Sequence, residues 1–265
     1  MTRFRLFAKG NSDVADALFG CSDQRGQWGG LNQHFRETDQ PHRMRLMHET
    51  ATRSDALLAA GGVVPDALSG IELAWPYGAE SQFSTLVFDE EVDAVALSLQ
   101  GDINVKLMRH RSSGAMFYPG AITRPDSDVK AWLRKECQPL PPLPVDQAMA
   151  FLASVIDRIR ARHPQVAVLV FNLSEFVPGD ETFSQFGVEE SLALRIKRFN
   201  LAAMELTKQP GVGIVDVNRI VAEHGARTLK LDAVRVNSIG SRLIAIEAAR
   251  VLAQLGIIGS ADTRL

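Results

Sequence analysis

Apolar residues recur along this chain in two rhythms: short apolar or alternating runs that read as strands, and longer stretches with helical spacing. Residues 3–8 (RFRLFA) form the first predicted strand and His42 to His48 (HRMRLMH) the second. Asp93 to Leu99 (DAVALSL), Gln165 to Asn172 (QVAVLVFN) and Gly213 to Val217 (GIVDV) supply the third, fourth and fifth. The continuous Val, Leu and Phe content of the fourth marks a strand covered on both faces. Helices are predicted over Ser54–Ala60, near Ser81–Glu91, over Val145–Arg162, over Glu189–Leu206 and from about Ile239 to Leu255. In Val145–Arg162 the residues Met149, Leu152, Val155, Ile156 and Ile159 fall on one helical face. Such alternation predicts α/β architecture, a parallel sheet with helices on both sides joined by right-handed crossovers. Residues 106–144 break the rhythm with aromatic and Gly/Pro-rich pieces (GAMFYPG, CQPLPPLP) and read as a loop or flap inserted beside the sheet. The whole of 1–265 reads as a single domain carrying that insert.

Composition narrows the function classes. A net charge of -2 gives no general attraction to nucleic acid or to a membrane surface, so any basic site must be local. The two cysteines, Cys21 and Cys137, make neither a disulfide framework nor a metal-knuckle spacing, which suits a reducing compartment. No window reaches the ~20 apolar residues of a membrane helix, and the amino terminus has no signal-peptide pattern. A cytoplasmic protein with a small-molecule partner is the expectation, with no cofactor implied.

Ligands of open parallel sheets bind at the carboxyl ends of the strands, where strand order reverses. The first strand delivers Gly10, Asn11 and Ser12 there, and the second delivers His48 and Glu49. The third delivers Gln100, Gly101, Asp102 and Asn104, with Arg109, His110 and Arg111 soon after. The fourth delivers Asn172 and Ser174, and the loop before the last helix delivers Asp232, Arg235 and Asn237. Two of these pieces carry a family resemblance. Gly10-Asn11-Ser12 is similar to the Gly-Asp-Ser block of the GDSL or SGNH hydrolases. Asp232-Ala-Val-Arg235-Val-Asn237-Ser-Ile-Gly240 resembles their closing block, Asp-x-x-His followed by a glycine and an amphipathic helix. The resemblance spans nearly the whole chain and implies a flavodoxin-like three-layer α/β/α fold with a five-stranded parallel sheet.

It also implies a serine nucleophile, a histidine base held by an aspartate, and an oxyanion hole from backbone amides, a glycine and an asparagine. Ser12 and Asp232 match their family positions. Arg235 stands where the histidine belongs, and a guanidinium cannot accept a proton from Ser12. The second block reads Glu49-Thr50-Ala51-Thr52-Arg53-Ser54 with no glycine. In the third, Asp102 replaces the asparagine in direct register, unless a slip brings Asn104 into that place. His110 and His48 are the surrogate bases to consider, with Glu49 or Asp232 as orienter. Against them stand plainer roles: His48 closing its strand by a backbone hydrogen bond, His110 in a solvated loop, Ser12 capping the first helix.

Arg235, Arg109, Arg111 and Arg53 raise the prospect of a forked grip on a carboxylate or phosphate, with Asn11, Asp102, Asn104 and Asn172 also lining the substrate site. A dinucleotide loop is not supported, since no Gly-x-Gly-x-x-Gly follows Gly10, and no HExxH or Cys/His spacing supports a metal. Two readings result. One is a serine acyl hydrolase or O-acyltransferase acting on an ester or thioester of a small, anionic substrate. The other is a catalytically degenerate relative that binds an anionic small molecule or assists a partner protein. The flap at Phe117-Tyr118-Pro119 is placed to cover the site or to meet a second subunit, as in a homo-oligomer.

Overall fold

The sheet has five parallel strands: β1 (Thr2–Lys9), β2 (His42–Glu49), β3 (Ala94–Ser98), β4 (Ala167–Phe171) and β5 (Val212–Val215), in the spatial order β5-β4-β3-β1-β2. They belong to a computed structural model that describes residues 2–123, 125–176 and 190–259. Register is continuous across the middle of the sheet, Leu6 facing Ala94 and Ala94 facing Ala167. The order reverses between β1 and β3, which makes their carboxyl ends the crevice of an open α/β sheet.

Period-2 alternation divides the core between the two faces. Ala167, Leu169 and Phe171 of β4 pack into one buried cluster with Leu6, Val14, Ile244 and Leu252. Val168 and Val170 pack into the other, with Phe7, Leu152, Ile156 and Phe199. The first face is covered by α1 (Ser12–Leu18) and the long carboxyl-terminal helix, the second by the helices Val145–Arg162 and Leu192–Ala203. Continuing in chain order, α2 is Ser54–Ala59, α3 is Gln100–Asn104, α4 is Val145–Arg162, α5 is Leu192–Ala203, α6 is Val217–His224 and α7 is Ser238–Gln254. This is the three-layer α/β/α arrangement with the flavodoxin-like strand order. Among the described residues no helix is long and apolar enough to cross a membrane.

The differences from expectation have local causes. The helix expected over Ser81–Glu91 is two short ones, Ala79–Phe83 and Leu86–Asp89. At the break Ser84 Oγ accepts the Leu86 N–H at 3.2 Å, a side-chain bond that competes with the helical ladder. The fifth strand stops at Val215 because the Asp216 side chain accepts the Arg219 N–H and starts α6 at Val217. The predicted helix over Glu189–Leu206 begins partly outside the described residues, and its described helical core is α5. The irregular stretch 106–144 contains Met108–His110, Met116–Phe117 and Cys137–Pro139, paired as a small antiparallel sheet, and the helix Ser127–Glu136. From α5, Arg195 donates to the carbonyls of Asp102 (2.9 Å), Ile103 (2.7 Å) and Leu143 (2.7 Å), fixing α3 below that insert.

Candidate functional site

The turn after β1 lies directly against β3. A Cβ on Gly10 would stand 2.6 Å from Val14 Cγ2 and 3.2 Å from Ser98 Cβ, so the chain passes here only as glycine. Asn11 is the N-cap residue of α1 but makes no side-chain capping bond. Ser12 is the first helical residue, half-buried, and its hydroxyl has no hydrogen-bond partner among the described residues. Capping is therefore not the work of Ser12. The Asn11 side chain accepts the Ala51 N–H at 3.2 Å through Oδ1, while its buried Nδ2 has no partner. Buried polar groups are nearly always hydrogen-bonded, so the unpartnered carboxamide N–H of buried Asn11, next in the chain to half-buried Ser12, is informative.

Asp13 follows, fully enclosed. Its carboxylate accepts from the Asn11 N–H at 3.1 Å and from Ser98 Oγ, and burial pushes its pKa up despite those bonds. Tyr77 feels the same carboxylate: burial, then Tyr118, then Asp13 push its phenol up to about 12. Its ring meets the insert's Tyr118 edge-on, with centroids 4.8 Å apart, so the insert reaches towards the serine turn through this aromatic pair.

The β2 side of the crevice is densely paired. Lys9, 3% exposed, donates to Glu49 Oε2 at 2.8 Å and to the Ser81 carbonyl at 2.9 Å; burial lowers its pKa and Glu49 opposes the shift. Asp102 Oδ1 accepts both the backbone N–H (2.7 Å) and the hydroxyl (2.9 Å) of Ser54. Burial nevertheless raises Asp102 to about 7, Asp55 adding to the rise while Ser54 and Arg53 oppose it. A Cβ on Gly101 would lie 1.6 Å from the Thr52 carbonyl oxygen, so α3 and the segment after β2 meet backbone to backbone. Between Lys9, Ser98 and Asp102 a cavity of about 20 Å³ has room for a single water.

The closing loop brings Asp232 and Arg235 together. Asp232 accepts the backbone N–H groups of Val234 (2.9 Å) and Arg235 (2.8 Å) and the Arg235 Nε at 2.6 Å. Burial alone would raise Asp232; those hydrogen bonds and the guanidinium charge outweigh it and hold the carboxyl below its ordinary value. The charge of Arg235 also reaches Asp16 on α1. Asp16 is raised to about 6 by burial, helped by Asp13 and Asp23 and opposed by Arg235. Asn237 caps α7 by accepting the Gly240 N–H at 3.0 Å.

The surrogate histidines are engaged elsewhere. His48 Nε2 lies 2.9 Å from the Gly10 carbonyl and must donate to it, which is the strand-closing role weighed against it; burial lowers its pKa. His110 is no solvated loop residue. It is buried in the insert, stacked on Trp132 with centroids 5.7 Å apart and bonded through Nδ1 to Ser113 at 2.9 Å. Asn104 is exposed at the end of α3 and borders a groove with Glu190 and Arg195. Asn172 donates to Asp216 at 2.9 Å and accepts the Asn218 N–H, organising the start of α6. Among the described residues the four arginines share no common partner. Arg53 is buried on Asp55 and the Pro141 carbonyl, Arg109 touches Met116, Arg111 bonds Gln138, and Arg235 holds Asp232.

Lys9, Asp13, Asp16, Ser54 and Ser98 are site neighbours that the sequence pattern did not single out. Only Asp16 had a local signal, its spacing of one helical turn from Ser12. Among the described residues no group of three or more His, Cys, Asp or Glu is placed to hold a metal.

No family model and no curated protein matches the chain. Solved structures do. An alpha/beta hydrolase enzyme from the metagenome of Lake Arreo, Spain, superposes with a TM-score of 0.51 at 15% identity, covering 97% of both chains. A carbohydrate esterase family 3 structure from Talaromyces cellulolyticus gives 0.51 at 14% identity, covering 97% of this chain and 100% of that one. A structure from Parabacteroides merdae described as a GDSL-like lipase gives 0.50 at 12% identity, covering 95% and 96%. The chain has a GDSL/SGNH-like hydrolase fold, with strand order and helical layers to match.

Proposed function

We propose that this chain is a serine acyl hydrolase or O-acyltransferase that uses Ser12 as nucleophile on an ester or thioester of a small, anionic substrate. The observation that carries this reading is the Ser12 hydroxyl at the strand-order switch, next in the chain to the buried Nδ2 of Asn11, both without a hydrogen-bond partner among the described residues. In the reaction Ser12 Oγ attacks the acyl carbonyl, and Asn11 Nδ2 donates to the oxygen that becomes negative. Asp232 orients Arg235, whose half-exposed guanidinium supplies the positive charge that selects an anionic substrate. The Tyr77–Tyr118 pair forms the wall towards the insert.

A fluorophosphonate probe tests the nucleophile. The expected result is a single labelled residue, Ser12, with labelling abolished by Ser12→Ala. Absence of labelling between pH 6 and 9, together with thermal stabilisation by small carboxylates or phosphates, overturns the reading in favour of a binding protein on the same fold.

A further inference from the structure

A serine nucleophile needs a proton acceptor, and the two histidines are engaged elsewhere, His48 Nε2 on the Gly10 carbonyl and His110 on Ser113 and Trp132 inside the insert. One other ionisable group is placed beside it by the helix itself. Ser12 and Asp16 lie four residues apart on α1, on one face, where Cβ atoms are about 5–6 Å apart. Helical side chains lean towards the amino terminus, so Asp16 leans back over the turn that carries Ser12. The Asp16 carboxylate is half-buried and, among the described residues, has no hydrogen-bond partner.

We propose that Asp16 is the general base for Ser12, with Arg235 as the counter-charge of that carboxylate; the inference rests on the acyl-transfer reading above. It gives Arg235 a reason to stand where a histidine would be. The proton acceptor comes from α1, and the closing loop supplies the charge that keeps it ionised. The groups facing Asp16 are Asp13 on its own helix, Asp23 and Cys21 from the hairpin Cys21–Trp28, and Arg235 from the closing loop. Burial first, then Asp13 and Asp23, carry Asp16 to about 6, against the pull of Arg235. A base of that strength is ionised at neutral pH yet basic enough to take a proton in the transition state.

The step balances. Asp16 takes the Oγ proton, directly or through one water, as Oγ bonds to the acyl carbon. It returns that proton to the oxygen or sulfur of the leaving group as the acyl bond breaks. In the second half Asp16 deprotonates the incoming water or alcohol, and the proton goes back to Ser12 as the acyl-serine opens.

The test is the rate of fluorophosphonate labelling of the full chain against pH. In the native protein the rate rises through about pH 6 and then levels. Asp16→Asn is expected to slow labelling at pH 7.5 about 100-fold or more with an unchanged melting temperature, and Asp16→Glu to restore part of the rate. Arg235→Met moves the midpoint of the pH profile upward, because the guanidinium favours the ionised carboxylate. Labelling of Asp16→Asn at the native rate, or a profile that ignores Arg235→Met, overturns the inference and leaves the serine reading standing. No labelling of the native chain overturns both.

Discussion

The two sides of the switch crevice differ in how their polar groups are used. Towards β2, Lys9 is bonded to Glu49 and Ser81, Asp102 to Ser54, and Arg53 to Asp55 and Pro141. Towards α1, the Ser12 hydroxyl, the Asn11 Nδ2 and the Asp16 carboxylate stand without hydrogen-bond partners among the described residues. Both sides are built from residues that follow strands of one sheet. The paired side keeps the geometry, and the other side carries the groups of the proposed reaction. Of these three groups only the Asn11 Nδ2 is buried, and leaving such a group unmade costs about 1–3 kcal/mol; Ser12 and Asp16 are half-buried.

Three measurements break or sharpen this contrast. The largest effect belongs to Asp102, whose folded-state value of about 7 lies above the ordinary 3.8 because of burial. A raised carboxyl stabilises the fold below its unfolded value and loses that contribution as pH rises through the folded one. A rise from 3.8 to about 7 corresponds to ~4 kcal/mol. Urea unfolding of the native chain and of Asp102→Asn should therefore show the variant gaining by roughly that amount between pH 4 and pH 8. A gap independent of pH would mean that the carboxyl does not titrate in this range. Next is Lys9→Met, which strips Glu49 of its buried cation and is expected to cost about 3 kcal/mol. Adding Glu49→Leu should recover most of that loss, as a double-mutant cycle would record. The smallest effects sharpen the comparison most. Ser54→Ala removes a donor from buried Asp102 and should cost about 1–3 kcal/mol. Ser12→Ala breaks no hydrogen bond and should stay within about 0.5 kcal/mol. Equal losses for the two serines would erase the distinction between the sides.

The sheet was legible because its strands either alternate apolar with charged residues, as in β1 and β2, or run continuously apolar, as in β3 and β4. The serine turn and the closing loop were legible because their chemistry is compressed into a few adjacent residues. The insert was not, since its strands are only two or three residues long and carry no periodicity. Nor was the role of Lys9 in view: a lysine at the end of a strand looks solvated until Glu49 and Ser81 are brought around it from elsewhere in the chain. His110 shows the same limit in reverse. A loop histidine between two arginines is in fact a buried ring on Trp132, because the insert folds back on itself. The aspartate-arginine pair of the closing loop needed no tertiary information, being three residues apart, yet its second neighbour, Asp16, did.

Gly101 is the residue of this edge with the least chemistry and the least latitude. The nearest obstacle to a side chain there is the Thr52 carbonyl oxygen, part of the backbone and unable to rotate aside. Steric necessity of that kind is indifferent to whether any ester is ever cleaved. A glycine in a catalytic-looking block can thus testify to ancestry of the scaffold while saying nothing of its present trade, and the two kinds of testimony must be read from different atoms.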